Sequence, residues 1–188
     1  GRPPRLLGSC RRVERRDGTD LDVGVALRRW APTALALATP ALWPGLVALC
    51  RVAFEQGLNT YSWQLAFCLR SFFYLAKLWD PWIESQRVAL AAAEADGDRW
   101  AQATMRNNLG VAVIDRGDLD AAEEHYRHAL ALFEELDDPH GVNTTRANQA
   151  WVDHYRGDHA AAVANLRTAL DYYESAGSAR NAAITLRG

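Results

Sequence analysis

The clearest hydrophobic pattern runs from Trp100 to Ile114, where apolar residues recur at the spacing of one face of an α-helix. A polar turn interrupts this pattern, and a second helical stripe follows from Ala121 to Leu136. Gly117 suits the left-handed residue that ends the first helix, and Asp118 or Asp120 suits the N-cap of the second. The segment therefore predicts two antiparallel helices joined by a tight turn.

The same pattern recurs along the chain with a period of 40 residues. A shift of 40 aligns Arg116-Gly117-Asp118 with Arg156-Gly157-Asp158, and Ala129-Leu130 with Ala169-Leu170. In the preceding copy Asp80-Pro81 occupies the turn, and Pro81 is predicted at the first helical position. Self-similarity at a period of about 20 to 50 residues is the signature of stacked repeats. The sequence predicts three copies.

The repeats divide the chain into a head and a solenoid. Residues 1–43 are rich in arginine and predict an irregular basic head, whereas residues 44–188 predict the helical repeat domain. Its units are expected near residues 61–98, 99–138 and 139–178, with partial units at both ends. The fold class is therefore all-α, a right-handed solenoid of about seven or eight helices in antiparallel pairs. The partial last unit leads us to expect a longer parent protein with further repeats.

Several small and aromatic residues resemble those of the tetratricopeptide repeat family. Leu109-Gly110 matches the family's Leu-Gly pair, Ala122 and Ala129 match its two small positions, and Tyr126 matches its aromatic position. Arg106 departs from the pattern, because the family usually has Trp there. The resemblance implies a non-catalytic scaffold that binds a protein or peptide along the concave face of the solenoid.

A narrower resemblance covers the segment from Tyr61 through Asp98 together with Asn107-Asn108-Leu109-Gly110. It is similar to the C-terminal repeat arms of large actinobacterial signalling proteins, including antibiotic-regulatory transcription factors and NB-ARC ATPases. In those proteins the repeats are joined to an ATPase and sometimes to a DNA-binding domain. This resemblance implies an alternative function in signalling and transcription regulation, as a sensor arm that acts on an attached domain.

The first helix of each repeat is expected to face the concave groove. By the family's spacing, the predicted groove residues are Gln64, Phe67, Ser71, Tyr74, Thr104, Asn108, Val111, Asp115, Thr144, Asn148, Trp151 and Tyr155.

Two groups of these residues suggest how a peptide would be held. Asn108 and Asn148 lie 40 residues apart, and an amide can both donate to and accept from a peptide backbone. The alternative is that these asparagines satisfy helix ends or neighbouring repeats. The aromatic residues Tyr74, Trp151 and Tyr155 are expected either to anchor an apolar side chain of the ligand or to belong to the core.

Composition and motifs favour binding over chemistry. The formal charge of −2 provides no whole-chain field for nucleic acid, so we expect nucleic-acid contact only through domains outside this sequence. The single lysine, Lys77, is not part of a phosphate-binding loop. His125 and His128 lack an identifiable third ligand for zinc. The sequence predicts no cofactor, no metal site and no catalytic residues.

Targeting and location were judged from prolines and cysteines. The uncharged stretch Ala31–Cys50 has the length of a membrane span, but Pro32, Pro40 and Pro44 each remove a backbone donor. We therefore expect no membrane segment. The three cysteines are odd in number and lack metal-ligand spacing, which favours a reduced, cytoplasmic location. The expected partner is a protein or peptide, or a domain of the same polypeptide.

Overall fold

The computed structural model describes residues 13–14, 20–21 and 43–186, and the chain divides into two compact units at residues 43 and 44. In the first unit, strand β1 (Val13–Glu14) pairs antiparallel with strand β2 (Asp20–Leu21), with Val13 opposite Leu21. The rest of the predicted basic head lies outside the described residues.

The described residues from 43 to 186 form eight α-helices. They are α1 (Trp43–Glu55), α2 (Asn59–Ala76), α3 (Trp79–Ala95), α4 (Arg99–Ile114), α5 (Leu119–Glu135), α6 (Pro139–Tyr155), α7 (His159–Ser175) and α8 (Ala179–Thr185). From α2 onward each helix packs against the next one, and α4 also contacts both α2 and α6. Short connections make consecutive helices antiparallel neighbours. The predicted all-α solenoid of helix pairs is confirmed.

Every turn of the solenoid has the same design, repeated every 20 residues. The residue at each twentieth position from 57 to 177 has a positive φ, and the N-cap of the next helix follows it directly. At the turn before α5, Gly117 has φ +80° and Asp118 accepts a hydrogen bond from Ala121 N at 3.1 Å. Both predictions for this turn are confirmed. Asp98, Asp138 and Asp158 cap their helices in the same way.

The turn before α3 differs from its prediction. Lys77 is the left-handed residue there, with φ +57°, and Leu78 is the N-cap without a side-chain hydrogen bond. The helix therefore begins at Trp79, and Pro81 occupies the third helical position rather than the first. Proline is tolerated there because the first N–H groups of a helix have no intrahelical acceptor. The prediction that Asp80-Pro81 begins this helix was wrong by two residues.

Close helix packing depends on a glycine in the middle of α4. A Cβ placed on Gly110 would lie 2.4 Å from Cε1 and 2.7 Å from Cζ of the Tyr126 ring. Tyr126 is fully buried on α5 and clusters with Val113, Ala122 and Val152. Since Val152 lies on α6, this cluster joins the second repeat to the third.

The repeated Arg-Gly-Asp triplets have a structural role at the surface. Arg116 lies 3.4 Å from Asp80, and Arg156 lies 2.5 Å from Asp120 and also pairs with Glu123. Each arginine thus reaches the start of the second helix of the preceding repeat. The glycine turns the chain and the aspartate caps the next helix, so the triplet connects and orders adjacent repeats.

Candidate protein-binding surface

The predicted groove residues all lie on α2, α4 and α6, the first helices of the three repeats. These helices are lateral neighbours, because α4 contacts α2 on one side and α6 on the other. Their side chains differ in exposure. Within this set, Gln64, Phe67, Thr104 and Asn108 are buried, Val111, Thr144 and Asn148 are half-buried, and Ser71, Tyr74, Asp115, Trp151 and Tyr155 are exposed.

Asn108 is held by a polar network inside the solenoid. Its side chain is 3% exposed, and its Nδ2 donates to Gln86 Oε1 at 3.2 Å. Arg70 Nη1 donates to Asn108 Oδ1 at 3.3 Å, and Gln86 Nε2 donates to the Ala66 carbonyl at 2.8 Å. Buried amides are normally hydrogen-bonded in this way. The network links α2, α3 and α4.

Asn148, the equivalent residue one repeat later, is more accessible. Its Nδ2 donates to Asn107 Oδ1 at 3.0 Å, which fixes the orientation of the amide between α4 and α6. An amide offers two N–H groups and a carbonyl acceptor. This one bond therefore leaves hydrogen-bonding capacity on Asn148. The sequence analysis did not single out Asn107, although the Asn107-Asn108 pair was part of the quoted motif.

Two exposed aromatic side chains continue the same face of α6. Trp151 is 43% exposed and Tyr155 is 57% exposed, and their ring centroids are 6.4 Å apart. Trp151 forms the wall of a pocket of about 100 Å³ between α6 and α7. The pocket is lined by Ala150, Trp151, His154, His159, Ala162, Val163 and Leu166. The α7 residues were missed from the sequence because their approach to Trp151 depends on helix packing.

Tyr74 belongs to a different aromatic cluster. Its ring makes edge contacts with Trp79 and Trp82, with centroid distances of 6.1 and 6.0 Å. Lys77 Nζ lies 4.9 Å from the centre of the Tyr74 ring. These contacts fix the orientation of Tyr74 against the turn of its own repeat. Thr144 is likewise engaged, because its Oγ1 is 2.8 Å from the hydroxyl of Tyr173.

The histidines of α5 lie beside a cation. His128 Nδ1 is 3.3 Å from Arg106 Nη1, and Arg106 also pairs with Glu94. Burial, followed by the charge of Arg106, lowers the pKa of His125. Neighbouring positive charge disfavours a metal ion, and residues 43–186 contain no group of three His, Cys, Asp or Glu side chains that could hold one. No helix of that region is long and apolar enough to cross a bilayer.

Comparison with known proteins agrees with the geometry of the second and third repeats. Residues 101–175 match the family model described as tetratricopeptide repeat. No curated protein matches the chain. The match covers α4 to α7, including the Gly110–Tyr126 contact and the aromatic residues of α6. Such repeats commonly mediate protein–protein interaction. The helices from α4 to α7 are therefore tetratricopeptide repeats.

Proposed function

We propose that this chain is a protein-binding module that holds an extended peptide segment against α6 on its concave face. The observation that supports this proposal is a stripe of accessible side chains along one face of α6. Thr144, Asn148, Trp151 and Tyr155 are spaced at i, i+4, i+7 and i+11, so they lie on the same side of the helix. The stripe combines a half-buried amide with two exposed aromatic rings.

The chemistry of the stripe suits a peptide with a large apolar side chain. Asn148, oriented by Asn107, can pair with the peptide backbone regardless of peptide sequence. Trp151 and Tyr155 offer apolar area with little rotamer freedom to lose, and such residues contribute about 2 kcal/mol or more at interfaces. We therefore assign backbone pairing to Asn148 and side-chain anchoring to the aromatic pair.

Neighbouring repeats supply less of this chemistry. The equivalents of Asn148 are the buried Asn108 and Cys68, and the equivalents of Tyr155 are Asp115 and Leu75. Because Asp115 is exposed beside the α6 stripe, a basic residue in the peptide next to its apolar anchor should bind more tightly. The peptide class that we propose is therefore an extended segment with an aromatic or large aliphatic residue flanked by Arg or Lys.

The experiment is selection of peptides from a random displayed library on the 188-residue chain, followed by affinity measurement with variants. Trp151→Ala and Asn148→Ala should weaken the selected peptides at least about tenfold, which corresponds to 1.4 kcal/mol. Tyr61→Ala is the matched control, because Tyr61 is also an exposed aromatic residue but lies at the start of α2. Circular dichroism should show equal helicity for all variants.

Equal loss of affinity in the Tyr61 control, or peptides that bind all variants equally, would place binding outside α6 and refute the assignment. Asn108→Ala separates the two asparagines. Since its amide is buried in the Gln86 network, this change should lower thermal stability while leaving the affinity of correctly folded protein within about twofold.

The resemblance of Tyr61 through Asp98 to repeat arms of signalling proteins supports an alternative. In that case the α6 stripe would bind an ATPase or transcription domain of the same polypeptide, and ligand binding would change the state of that domain. A cytoplasmic location agrees with either function and stays a prediction. Peptide selection discriminates the two, because the intramolecular function predicts peptides that resemble the natural neighbouring domains.

A further inference from the structure

A second apolar surface lies at the start of α7, beside Trp151. We define the end face as Trp151, Ala160, Ala162, Val163 and Leu166. Val163 is 61% exposed, and four of these five residues line the pocket of about 100 Å³. Helix α8 packs on α7 further along, where Ala182 meets Ala169 and Tyr173. The first turns of α7 therefore present apolar surface to solvent.

The equivalent surface one repeat earlier is covered by a helix. There Ala122 and Tyr126 correspond to Ala162 and Leu166, and Val152 of α6 packs on both. Val152 is 1% exposed. The end face thus has the shape of a surface that receives a helix, and the small Ala162 permits close approach as Ala122 does.

The charged residues around this surface change between the two repeats. In the second repeat Asp120 and Glu123 accept the guanidinium of Arg156. Their equivalents in the third repeat are Ala160 and Val163, which cannot accept such an arginine. The end face therefore lacks the ion pair that connects one repeat of this chain to the next. An apolar partner fits it better than a further repeat of the same design.

The end face is also electrically suited to pairing with itself. From His159 to Leu166 the sequence contains no Asp, Glu, Lys or Arg, whereas the equivalent segment from Leu119 contains three acids. The charges at its border are engaged within the chain. Asn165 donates to Asp153 at 2.8 Å, and Asp158 accepts from Ala161 N at 2.9 Å. Two copies can therefore meet here without like charges facing each other.

We propose that the end face binds the end face of a second copy of this chain, which forms a two-fold dimer. A two-fold interface uses the same patch on both subunits, so an uncharged, apolar and concave-edged patch is self-complementary. The Trp151 ring of each copy would cover the first turns of the partner's α7. This interaction goes beyond peptide binding and shares only Trp151 with the α6 stripe.

The test is the molar mass of the 188-residue chain in solution, measured by light scattering and sedimentation up to about 100 μM, where a dimer of micromolar Kd is well populated. The unmodified chain should approach twice its monomer mass. Val163→Glu restores the residue type of the second repeat and places two buried carboxylates in the dimer. It should weaken association at least about tenfold.

Matched variants keep the result interpretable. Ala131→Glu adds the same charge at an exposed position of α5 and should leave the dimer intact. Ala160→Asp is a second interface variant, and it is compatible with folding because Asp120 occupies the equivalent position. Circular dichroism verifies the fold of each variant.

A monomeric unmodified chain at the highest concentration would overturn the proposal, and would leave another protein as the occupant of the end face. A Val163→Glu or Ala160→Asp variant that dimerises as well as the unmodified chain would also overturn it. The mass measurement contains no peptide, so failure of peptide capture by the α6 stripe leaves its result unaffected.

Discussion

Replacing Gly110 by alanine tests how closely α4 and α5 pack. The new methyl group would lie 2.4, 2.7 and 2.8 Å from three carbon atoms of the Tyr126 ring. The ring cannot move toward solvent, because Tyr126 is fully buried. Overpacking costs about 1–3 kcal/mol, and three such contacts place this site at the upper end. Alanine also gains about 1 kcal/mol of helix propensity over glycine. The net expected loss is about 2 kcal/mol.

The third repeat provides the compensating change. Its equivalents of Gly110 and Tyr126 are Ala150 and Leu166, so a larger residue on the first helix accompanies a smaller one on the second. Tyr126→Leu alone should cost about 1–2 kcal/mol, because it leaves a cavity but also removes a buried hydroxyl without a partner. The double variant should be no less stable than Tyr126→Leu, since the alanine methyl occupies part of that cavity.

Thermal and urea unfolding of the four chains completes a double-mutant cycle. The expected coupling between the two sites is about 2 kcal/mol, well above the deviation from additivity of about 0.3–0.5 kcal/mol found for independent sites. Gly110→Ala alone should lower the Tm by about 4–8 °C for a domain of this size. Additive effects within that error would refute the contact between this glycine and the ring as the reason for the glycine.

Three further outcomes follow from burial, backbone strain and shared residues. Burial lowers the pKa of His125, so its proton is taken up on unfolding and stability should fall as pH drops below about 6.5; His125→Gln should flatten the unfolding free energy against pH there, whereas an unchanged slope would contradict the assignment. Asp137 has φ +49°, and Asp137→Gly should raise stability by about 0.5 kcal/mol in urea unfolding, with Gly117→Ala destabilising as the converse. If Trp151 serves both interfaces, apparent peptide affinity should fall as protein concentration rises, and Val163→Glu should abolish that dependence in titrations at two concentrations.

Helix positions were predictable because each repeat carries its turn chemistry in the sequence. Gly117 and Asp118 are a left-handed residue and an N-cap in one dipeptide, and their 40-residue equivalents repeat them. The turn before α3 lacks both residue types, with Lys77 and Leu78 in their places. There the only local indication was proline, which is tolerated anywhere in the first turn of a helix. The prediction therefore missed the start of that helix by two residues.

The candidate site was less predictable, because exposure depends on residues distant in sequence. Asn108 and Asn148 occupy the same repeat position, yet only Asn108 finds Gln86, which lies 22 residues earlier on α3. The third repeat has Tyr126 in place of that glutamine as its preceding second-helix residue. The same amide is thus an internal tie in one repeat and a half-buried surface group in the next. Periodicity identifies the equivalent positions but not their partners.

This difference between repeats explains why we assign both interactions to the third one. The first two repeats use their polar residues to connect helices, through Gln86 with Asn108 and through Arg156 with Asp120. The third repeat replaces those acceptors with Ala160 and Val163 and places Trp151 beside them. A stack of equivalent repeats needs polar ties wherever the next repeat follows, whereas a surface that binds a separate molecule benefits from accessible apolar area. Exchanging Ala160 and Val163 for Asp and Glu together should therefore abolish the dimer while preserving the fold.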